Sequence, residues 1–498
     1  MSGPPGVRPT DDHLWVGCDV GTQSAQVLAV TSAGEVVGDG TAGLTSRRDG
    51  RRHEQDPDGW WQAVVSACRA ALRGIDPDRI QAVAVCATSG SVLLTDRTGR
   101  PITASVMYDD ARAGDDADRV REAGASVWAS LGYRMQATWG LPKLVWLLRE
   151  HAERGSDVRL CHQADVITGR LIGHPAATDA SHALKSGYDL LADEWPWDIL
   201  DRLGIPQEVM PDVVRPGSRL GVVDVDAASQ TGIPQATPVI AGMTDGCAAQ
   251  LAGGALSVGD WTSALGTTLV LKGVSEELVR SPTGALYCHR SPDGRWLPGG
   301  ASNAGAGVLT ERFGERDLAA LDARASEREP ATVVAYPLVS EGERFPFEAP
   351  DAQRLVLGEP VDDVDLYAAL LQGLAFVERL CFDEVDRLGA PTGGALRFTG
   401  GGARSDYWSQ LRADVLRRTV EVPEHTEAAL GMALLAAANG ASIRDTARHM
   451  VRIRAVFEPR REATERFDGA YRTFLDALEE RAWLDGDAAD HARTRLGQ

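Results

Sequence analysis

The stretch LWVGCDVGTQSAQVLAVT, residues 14–31, consists of two apolar runs around a short polar turn. Residues 14–18 and 26–31 are predicted strands, and the turn between them carries Asp19, Gly21 and Thr22. A third strand is predicted at 35–38, after the turn Ala33-Gly34. The ordered part of the chain is therefore expected to open as an antiparallel hairpin with a carboxylate near its tip.

A helix and a further strand follow the hairpin. Asp56 is placed to cap the helix and Pro57 to occupy its first position, and apolar residues recur at helical spacing as far as Leu72. The apolar run at 80–86 is typical of a buried strand and leads into the small-residue loop at 87–91. Strands and a helix in this order predict an α/β layer.

The second half of the chain repeats this arrangement. Strands are predicted at 261–265 and 269–272 around the turn Gly266-Thr267-Thr268, and a long helix at 365–388 precedes a strand at 396–399. Two similar lobes facing each other would account for the repeat, with their boundary between 234 and 254. The charged segment after Phe457 is predicted to be a surface helix followed by a frayed end.

Composition bounds the function. The chain has 498 residues, 43% of them hydrophobic, which is enough to fill more than one core. Its formal charge of −20 is spread along the sequence, without a run of Lys and Arg that could follow a nucleic-acid backbone or an anionic membrane. Small-molecule partners are therefore expected, with no nucleic acid and no membrane.

Cysteine usage indicates a cytoplasmic location. The seven cysteines are far apart and form no C-x-x-C pair, so they are expected to be reduced, buried thiols rather than disulfides or a zinc site. Residues 1–12 lack the apolar core of a signal peptide, and no later segment reaches 18 uninterrupted apolar residues.

The hairpin at Asp19 has the residue types of a phosphate and metal site. Gly21 allows backbone N–H groups to approach a phosphate, Thr22 adds a hydroxyl, and Asp19 could reach a hydrated magnesium ion. An ordinary hairpin explains this tripeptide equally well when it is taken alone. The second turn at Gly266 and Thr267 favours the phosphate interpretation, since two such hairpins suit a nucleoside triphosphate held between lobes.

Two further segments complete the candidate site. The strand at 396–399 ends in Gly400, Gly401 and Gly402, a turn that admits a flat base or ribose close to the backbone, although it matches neither a Walker motif nor G-x-G-x-x-G. Asp245 follows a buried strand at 238–241, where it could cap a helix or serve as a base beside a γ-phosphate.

These segments, in this order, resemble the FGGY carbohydrate kinases, a family that includes glycerol, xylulose and ribulose kinases. The resemblance runs from about residue 14 to 440 and also rests on HEQDP at 53–57, KLVWL at 143–147 and TDASHAL at 178–184. It implies an α/β protein with two actin-like ATPase (ribonuclease H-like) domains and a catalytic cleft between them. The expected divisions are an N-terminal domain at 14–252, a C-terminal domain at 253–457 and a charged helical tail at 458–498.

The resemblance also implies roles for single residues. It makes Asp245 the catalytic base and Asp19 the magnesium-side carboxylate. Phosphate contacts are implied for Gly21, Thr22, Gly266 and Thr267, and an adenosine site for Gly401, Gly402 and Ala403. ATP and Mg²⁺ would be the cofactors and a small sugar the partner, while a homodimer stays open.

The substrate loop points to a subgroup. Thr88-Ser89-Gly90-Ser91 and VMYDDARA at 106–113 look most like the D-ribulose kinases first named as xylulose kinases, since xylulose kinases proper usually carry Met-His where this chain has Gly90-Ser91. Ser89, Gly90, Ser91 and Asp110 would then meet substrate hydroxyls together with Asp245. A solvated loop and an Arg-paired surface acid are the alternatives for these four residues.

Several functions stay open. D-ribulose is the preferred acceptor, and D-xylulose or a polyol such as glycerol, xylitol or erythritol is the alternative. A non-catalytic actin-like nucleotide-binding protein represents a different class, favoured only by Gln26, which stands where family members usually carry Arg or Lys. Loss of that cation would remove a charge-assisted phosphate contact worth about 1.5–3 kcal/mol.

Overall fold

A computed structural model describes residues 13–154 and 157–496. The segment 1–12, for which no signal peptide is expected, lies outside the described residues. Residues 497 and 498, at the end of the predicted tail, lie outside them as well.

The strands alternate with helices along both halves of the chain. In chain order the strands are β1 (Leu14–Val20), β2 (Ser24–Thr31), β3 (Val36–Gly43), β4 (Arg47–Asp49), β5 (Arg52–Gln55), β6 (Ile80–Ala87), β7 (Val92–Thr95), β8 (Ser105–Val106), β9 (Arg159–His162), β10 (Thr178–Asp179), β11 (Val213–Val214), β12 (Arg219–Val222), β13 (Pro238–Ile240), β14 (Trp261–Leu265), β15 (Leu269–Gly273), β16 (Leu286–Arg290), β17 (Trp296–Ser302), β18 (Val334–Tyr336), β19 (Leu355–Leu357), β20 (Leu396–Thr399), β21 (Val420–Pro423) and β22 (Ile453–Phe457).

The helices are mostly short, with one long exception in the second half. They are α1 (Pro57–Ala71), α2 (Gly114–Ala123), α3 (Ala125–Ser130), α4 (Gly140–Glu150), α5 (Gln163–Ile172), α6 (Ala180–Ala183), α7 (Trp197–Arg202), α8 (Val225–Thr231), α9 (Asp245–Gly253), α10 (Gly307–Phe313), α11 (Leu318–Ala325), α12 (Asp363–Arg387), α13 (Asp406–Leu416), α14 (Ala428–Ala437), α15 (Ile443–Met450), α16 (Arg461–Thr464), α17 (Asp468–Glu480) and α18 (Gly486–Thr494).

Two large sheets share one strand pattern. In the first sheet the order is β12-β13-β6-β1-β2-β3, with β1, β2 and β3 antiparallel and β6 parallel to β1. In the second the order is β16-β17-β15-β14-β20-β21-β22, with β14, β15 and β17 antiparallel and β20 parallel to β14. The predicted α/β class with two similar lobes is therefore confirmed.

The predicted hairpin and first helix agree with the structure in type and differ at the edges. Asp56 accepts a hydrogen bond from the Asp58 amide as the cap of α1, and Pro57 is its first residue. Asp19 belongs to β1, which continues to Val20, so the turn is shorter than predicted. The quoted segment at 143–147 lies within the helix α4, which begins at Gly140.

Two helices, one from each half of the chain, pack on the first sheet through glycine. A methyl group at Gly17 of β1 would lie 1.8 Å from the carbonyl oxygen of Ala429 in α14. One at Gly431 of α14 would lie 1.9 Å from the carbonyl oxygen of Ala248 in α9. These contacts join backbone to backbone, so β1, α9 and α14 form one tightly packed unit in which a larger residue has no room.

A smaller sheet of the first lobe escaped sequence analysis. Its order is β4-β5-β8-β7-β9, and the helix α4 packs against its strand β7. The strands have two to four residues each, too short to give a clear alternation of apolar and polar residues. This sheet carries the loops that approach the candidate site.

The prediction that the helix after Phe457 lies on the surface is wrong. In α17 the side chains of Tyr471, Phe474, Leu475 and Leu478 are buried, and the Tyr471 hydroxyl donates to Asp383 of α12 at 2.7 Å. The following helix α18 buries three alanines instead of fraying. The charged residues lie on the outer face of these helices, which explains why composition alone indicated a solvated tail.

No described helix is both long enough and apolar enough to cross a membrane.

Truncating Phe474 tests the burial of the tail. We expect Phe474→Ala to lower the free energy of unfolding by about 3–5 kcal/mol, because it leaves a cavity against Tyr336 and Phe376. Denaturant unfolding followed by tryptophan fluorescence measures the change. Arg472→Ala, on the exposed face of α17, is the control and should change stability by less than about 0.5 kcal/mol. Equal effects of the two substitutions would contradict the buried tail.

Candidate active site

Three neighbouring parallel strands deliver the first-lobe site residues. Asp19 of β1 pairs with Cys86 of β6, and Ala87 at the end of β6 bridges Thr244, which follows β13. Because parallel strands end at the same edge of a sheet, Asp19, the loop after β6 and Asp245 come together there. The predicted grouping of these residues follows from this topology.

The carboxyl groups of Asp19 and Asp245 are only partly exposed and act on each other. The pKa of Asp19 is raised to about 7, by burial first and by the Asp245 carboxylate second, against a Cys86 thiol that donates to Asp19 Oδ1 at 3.4 Å. Burial also raises the pKa of Asp245, opposed by the Gly246 amide and by the cations of Lys185, His182 and Lys272. Two acids with raised pKa values at one edge make this cleft the candidate chemical centre.

Asp245 is not the cap of its helix. Thr244 holds the N-cap position of α9 and Asp245 is the first helical residue, whose Oδ1 accepts only from the adjacent Gly246 amide at 2.7 Å. Among the described residues no other hydrogen bond to this carboxylate is seen. One carboxylate oxygen therefore stays available to a ligand.

The first hairpin presents Thr22 at the same edge. The Gly21 amide donates to the Ser24 carbonyl at 3.0 Å, which closes the turn, and Gln55 Nε2 donates to the Thr22 carbonyl at 2.6 Å. Thr22 is partly exposed, and its hydroxyl contacts the hydroxyl of Tyr108. Gln55 thus fixes the backbone of the turn, while the Thr22 side chain lies beside Tyr108.

The second hairpin and the glycine turn meet in the second lobe. Ala264 of β14 pairs with Thr399 of β20, so the Gly266-Thr267 turn and the Gly400 turn leave adjacent strand ends. Gly400 has φ 79°, and a methyl group there would lie 2.7 Å from the Leu265 carbonyl oxygen.

The residues predicted to bind nucleotide differ in exposure. Thr267 and Gly401 are exposed, Gly266 is partly exposed, and Gly402 and Ala403 are buried against the end of β14. The two predicted nucleotide segments therefore form one edge, at which the residues Thr267 and Gly401 are exposed.

Two of the predicted sugar contacts have their polar atoms engaged within the protein. Ser91 Oγ lies 2.6 Å from Thr88 Oγ1 and accepts from the Tyr108 amide at 3.0 Å. Asp110 is fully buried, accepts from the His53 amide at 2.8 Å and pairs with Arg112 at 2.8 Å. Asp110 is therefore Arg-paired but not a surface acid. Ser91 and Asp110 were predicted to contact the substrate. Their contacts within the protein indicate instead that they support the loop.

Ser89 and Gly90 are placed differently. The Ser89 hydroxyl is buried without a partner among the described residues. Gly90 has φ 90°, and a methyl group there would lie 3.4 Å from Cδ of Lys185. Gly90 therefore serves the left-handed backbone of this loop, and its carbonyl accepts a hydrogen bond from Lys143.

Sequence reasoning gave no role to the cations that surround this loop. Lys143 Nζ is buried, donates to the carbonyls of Gly90 at 2.9 Å and Met107 at 2.6 Å, and has its pKa lowered to about 7 by burial. Lys185 and Lys272 reach Asp245 electrostatically. The chain has only these three lysines. Lys143 lies in the quoted segment 143–147, Lys272 in the predicted strand 269–272, and Lys185 directly follows the quoted segment 178–184. The rarity of lysine, and its occurrence in or next to these segments, was the sequence signal that could have indicated a role for the three cations.

Two histidines near Asp245 were missed as well. His182 Nδ1 lies 2.5 Å from Asp179 Oδ2, and His289 of β16 is buried with both ring nitrogens unpartnered among the described residues. His182 lies in the quoted segment 178–184, three residues after Asp179, a spacing that could have suggested a pair. Nothing local marks His289, since β16 was not predicted.

Gln26 lies opposite Asp19 in the β1–β2 ladder. Its Nε2 donates to Asp39 Oδ1 at 3.4 Å, a long contact at the outer strand. A cation at this position would lie on the same face of the sheet as Asp19, next to the predicted phosphate site.

The donor set suits magnesium bound chiefly by phosphate and water. No group of three or more acidic, histidine or cysteine side chains able to hold a metal ion occurs in the described parts of the chain. Mg²⁺ typically takes one or two carboxylates plus substrate phosphates, so a preformed cage is not required. The repulsion between Asp19 and Asp245 is what a divalent cation would relieve.

Comparison with known proteins places both halves of the chain in one group. Residues 14–252 match the model "FGGY family of carbohydrate kinases, N-terminal domain", and residues 254–440 match the corresponding C-terminal domain. A xylulose kinase from Streptomyces coelicolor is 32% identical over 440 residues, covering 85% of this chain and 87% of that protein. A gluconokinase from Bacillus licheniformis is 23% identical over 443 residues, covering 84% and 86%.

Solved structures agree with this placement. The crystal structure of xylulose kinase from Rhodospirillum rubrum superposes with a TM-score of 0.85 at 25% identity, covering 94% of this chain and 99% of that one.

The raised pKa of Asp19 should make stability depend on pH. Because its pKa rises from 3.8 to about 7 on folding, the fold loses stability as the pH climbs between these values. Without Mg²⁺, we expect Asp19→Asn to be more stable than wild type by about 2–4 kcal/mol at pH 8, and by less than about half of that at pH 5. Guanidinium chloride unfolding at both pH values gives the difference.

Asp49→Asn, at an exposed position of β4, is the control and should give the same small difference at both pH values. A stability gain for Asp19→Asn that does not change with pH would contradict the assignment of the pKa to Asp19.

Proposed function

The chain belongs to the FGGY family of carbohydrate kinases and is an ATP-dependent sugar kinase. On that premise we propose that it phosphorylates a ketopentose. Sequence analysis preferred D-ribulose. The named relatives favour D-xylulose slightly, since xylulose kinases from several bacteria stand among them. We therefore place D-xylulose first and keep D-ribulose second, on the strength of Gly90-Ser91 in the loop.

Asp245 is our proposed general base, and its geometry carries the proposal. It stands at the start of α9 with one carboxylate oxygen that has no hydrogen bond from the described residues, near Asp19, in a cleft where burial strengthens it as a base. Lys185, His182 and Lys272 favour its ionised form. A carboxylate that burial makes more basic, beside cations that favour its ionised form, suits proton removal from an alcohol.

In the proposed reaction the acceptor hydroxyl oxygen attacks the γ-phosphorus of ATP. The bond from that phosphorus to the bridging oxygen breaks, ADP leaves, and the hydroxyl proton passes to Asp245. Such transition states are loose, so positioning and charge neutralisation supply most of the rate.

The nucleotide is proposed to span both lobes. Gly21 and Thr22 of the first hairpin, with Gly266 and Thr267 of the second, would contact the phosphates, and Gly401, Gly402 and Ala403 the adenosine. Asp19 would hold Mg²⁺, which when bound neutralises phosphate charge. The exposure of the residues Thr267 and Gly401, in turns that leave adjacent strands, supports this arrangement.

The domain division is proposed at 14–252 and 253–457, with 458–498 as a helical extension. The family models, which end at 252 and begin again at 254, support the first boundary. Burial of α17 against α12 makes the extension a part of the second lobe.

A substrate screen with an Asp245 variant tests the function. Release of ADP is measured with ATP, Mg²⁺ and a panel of D-xylulose, D-ribulose, xylitol, erythritol and glycerol. We expect the ketopentoses to turn over fastest and Asp245→Asn to lower kcat by about 10²–10⁴-fold, because the amide cannot accept the proton.

Asp201→Asn, at an exposed position of α7, should leave the rate unchanged. Turnover of none of these acceptors would refute the proposed substrate class, and full activity of Asp245→Asn would refute the role of Asp245.

Restoring the missing cation tests the phosphate site. Gln26→Arg is expected to tighten ATP binding by about tenfold or more, the equivalent of one charge-assisted hydrogen bond. Calorimetric titration with MgATP measures this, with Gln26→Met as the uncharged control of similar length. Identical affinities in the two variants would show that position 26 does not face the phosphates.

A further inference from the structure

A serine, a histidine and an aspartate form a connected row in the first lobe. Ser46 Oγ lies 3.0 Å from Nε2 of His53, and the other ring nitrogen of His53, Nδ1, contacts Oδ1 of Asp109. An aspartate that orients a histidine, which in turn takes the proton of a serine, is the arrangement of a nucleophilic hydrolase. The proposed phosphoryl transfer uses none of these side chains.

The small sheet of the first lobe sets this arrangement. Ser46 directly precedes β4, His53 belongs to β5, and Asp109 lies shortly after β8. Because β5 pairs with β4 on one side and with β8 on the other, the histidine lies between the segments that carry its two partners. Asp110 also accepts a hydrogen bond from the His53 amide at 2.8 Å. The backbone that carries the row is therefore fixed on both sides of His53.

Hydrogen bonding assigns the proton of each group. Burial raises the pKa of Asp109, but His53 and Arg48 outweigh burial and hold that pKa below its usual range, so the carboxylate is ionised at neutral pH. An ionised carboxylate only accepts, which places the ring proton of His53 on Nδ1 and leaves Nε2 of the neutral ring as an acceptor. Gln55 Nε2 donates to Ser46 Oγ at 2.8 Å, so the serine directs its own proton to His53. His53 is thus placed as the general base for Ser46.

The serine is accessible, whereas its base is protected from water. Ser46 is exposed, and His53 is only 2% exposed. Ser46 lines a cavity of about 550 Å³, which is within the size range of small-molecule sites. The apolar lining of this cavity consists of Pro57, Pro101, Ile102 and Ala104. A small ester can therefore reach Ser46 while apolar contacts hold its carbon groups.

The charges around this cavity largely cancel. Each carboxylate of the lining has a partner, which is Arg52 and Arg112 for Glu54, Arg170 for Asp58 and the Asp58 amide for Asp56. Arg47 adds an exposed cation to the lining. Since neither sign of charge dominates, an uncharged ester suits the cavity better than an ionic one.

The chain around Ser46 also offers donors to a developing oxyanion. The amides of Thr45 and Ser46 donate no hydrogen bond to any of the described residues. The amide of the nucleophilic serine itself is one of the oxyanion donors in the serine proteases. The negative charge of a tetrahedral intermediate on Ser46 would therefore meet free amides, which is the kind of stabilisation that acyl transfer needs.

We propose that Ser46, His53 and Asp109 form a second active site, which hydrolyses small uncharged carboxylic esters with Ser46 as the nucleophile. Ser46 Oγ bonds to the carbonyl carbon of the ester while its proton passes to His53 Nε2. The bond from that carbon to the alcohol oxygen breaks, and the alcohol leaves with the proton. Water then attacks the acyl-serine with His53 as the base, which releases the carboxylic acid and restores Ser46.

Covalent labelling of the full chain tests the nucleophile. A fluorophosphonate is the probe, because an activated serine displaces its fluoride, and peptide mass spectrometry locates the label. We expect the label on Ser46, and His53→Gln and Asp109→Asn should each slow the labelling by about tenfold or more. Thermal unfolding shows that each variant is folded. Ser126→Ala, at an exposed position of α3, is the control and should label like wild type.

Ester turnover supplies the second readout. Release of p-nitrophenol is measured from p-nitrophenyl acetate and from the anionic p-nitrophenyl succinate, and we expect kcat/KM to favour the acetate. Ser46→Ala, an exposed substitution that leaves the fold intact, should lower kcat/KM for the acetate by about tenfold or more. Labels that avoid Ser46, or equal ester turnover by wild type and Ser46→Ala, would overturn the second active site. A preference for the succinate would overturn the proposed class of ester.

Discussion

The contact of backbone with backbone between β1, α9 and α14 is the constraint on which the site depends. Gly17 lets α14 reach the strand two residues before Asp19, and Gly431 lets α14 reach Ala248, three residues after Asp245. The helix that makes both contacts comes from the second half of the chain. The helix α14 thus fixes the positions of Asp19 and Asp245 relative to each other. In sequence α14 follows β21, which pairs with β20, the strand that leads into the predicted adenosine turn.

This packing explains why the electrostatics of the cleft can be unusual. Burial and the nearby Asp245 carboxylate both disfavour the ionised form of Asp19, which raises its pKa. In a flexible site the two carboxyl groups would move apart and relieve this repulsion. Here the strands β1 and β6 and the helices α9 and α14 leave no space for such movement. Lys185 and Lys272, from outside this unit, oppose the effect of burial on the pKa of Asp245.

How much could be predicted from sequence depended on whether the signal was local. Four elements depend on residues that are neighbours in sequence, and each was predicted within a few positions. They are the hairpin at Asp19, the cap at Asp56, the turn at Gly266 and the strand before Gly400. The burial of Asp110 and the approach of His289 depend on partners far along the chain, which no periodicity reveals. The tail was misjudged because its charges are local, whereas Tyr471 and Phe474 are buried by tertiary packing.

The placement of the lysines has a consequence for handling this protein. All three lysine side chains lie in the first-lobe loop region or the cleft, Lys143 fully buried and Lys185 and Lys272 partly so, while arginine supplies the cations elsewhere. Among the described residues, reagents that acylate amines therefore find targets only in the cleft and its surroundings. Such a reagent would act on this kinase as a probe of ligand occupancy.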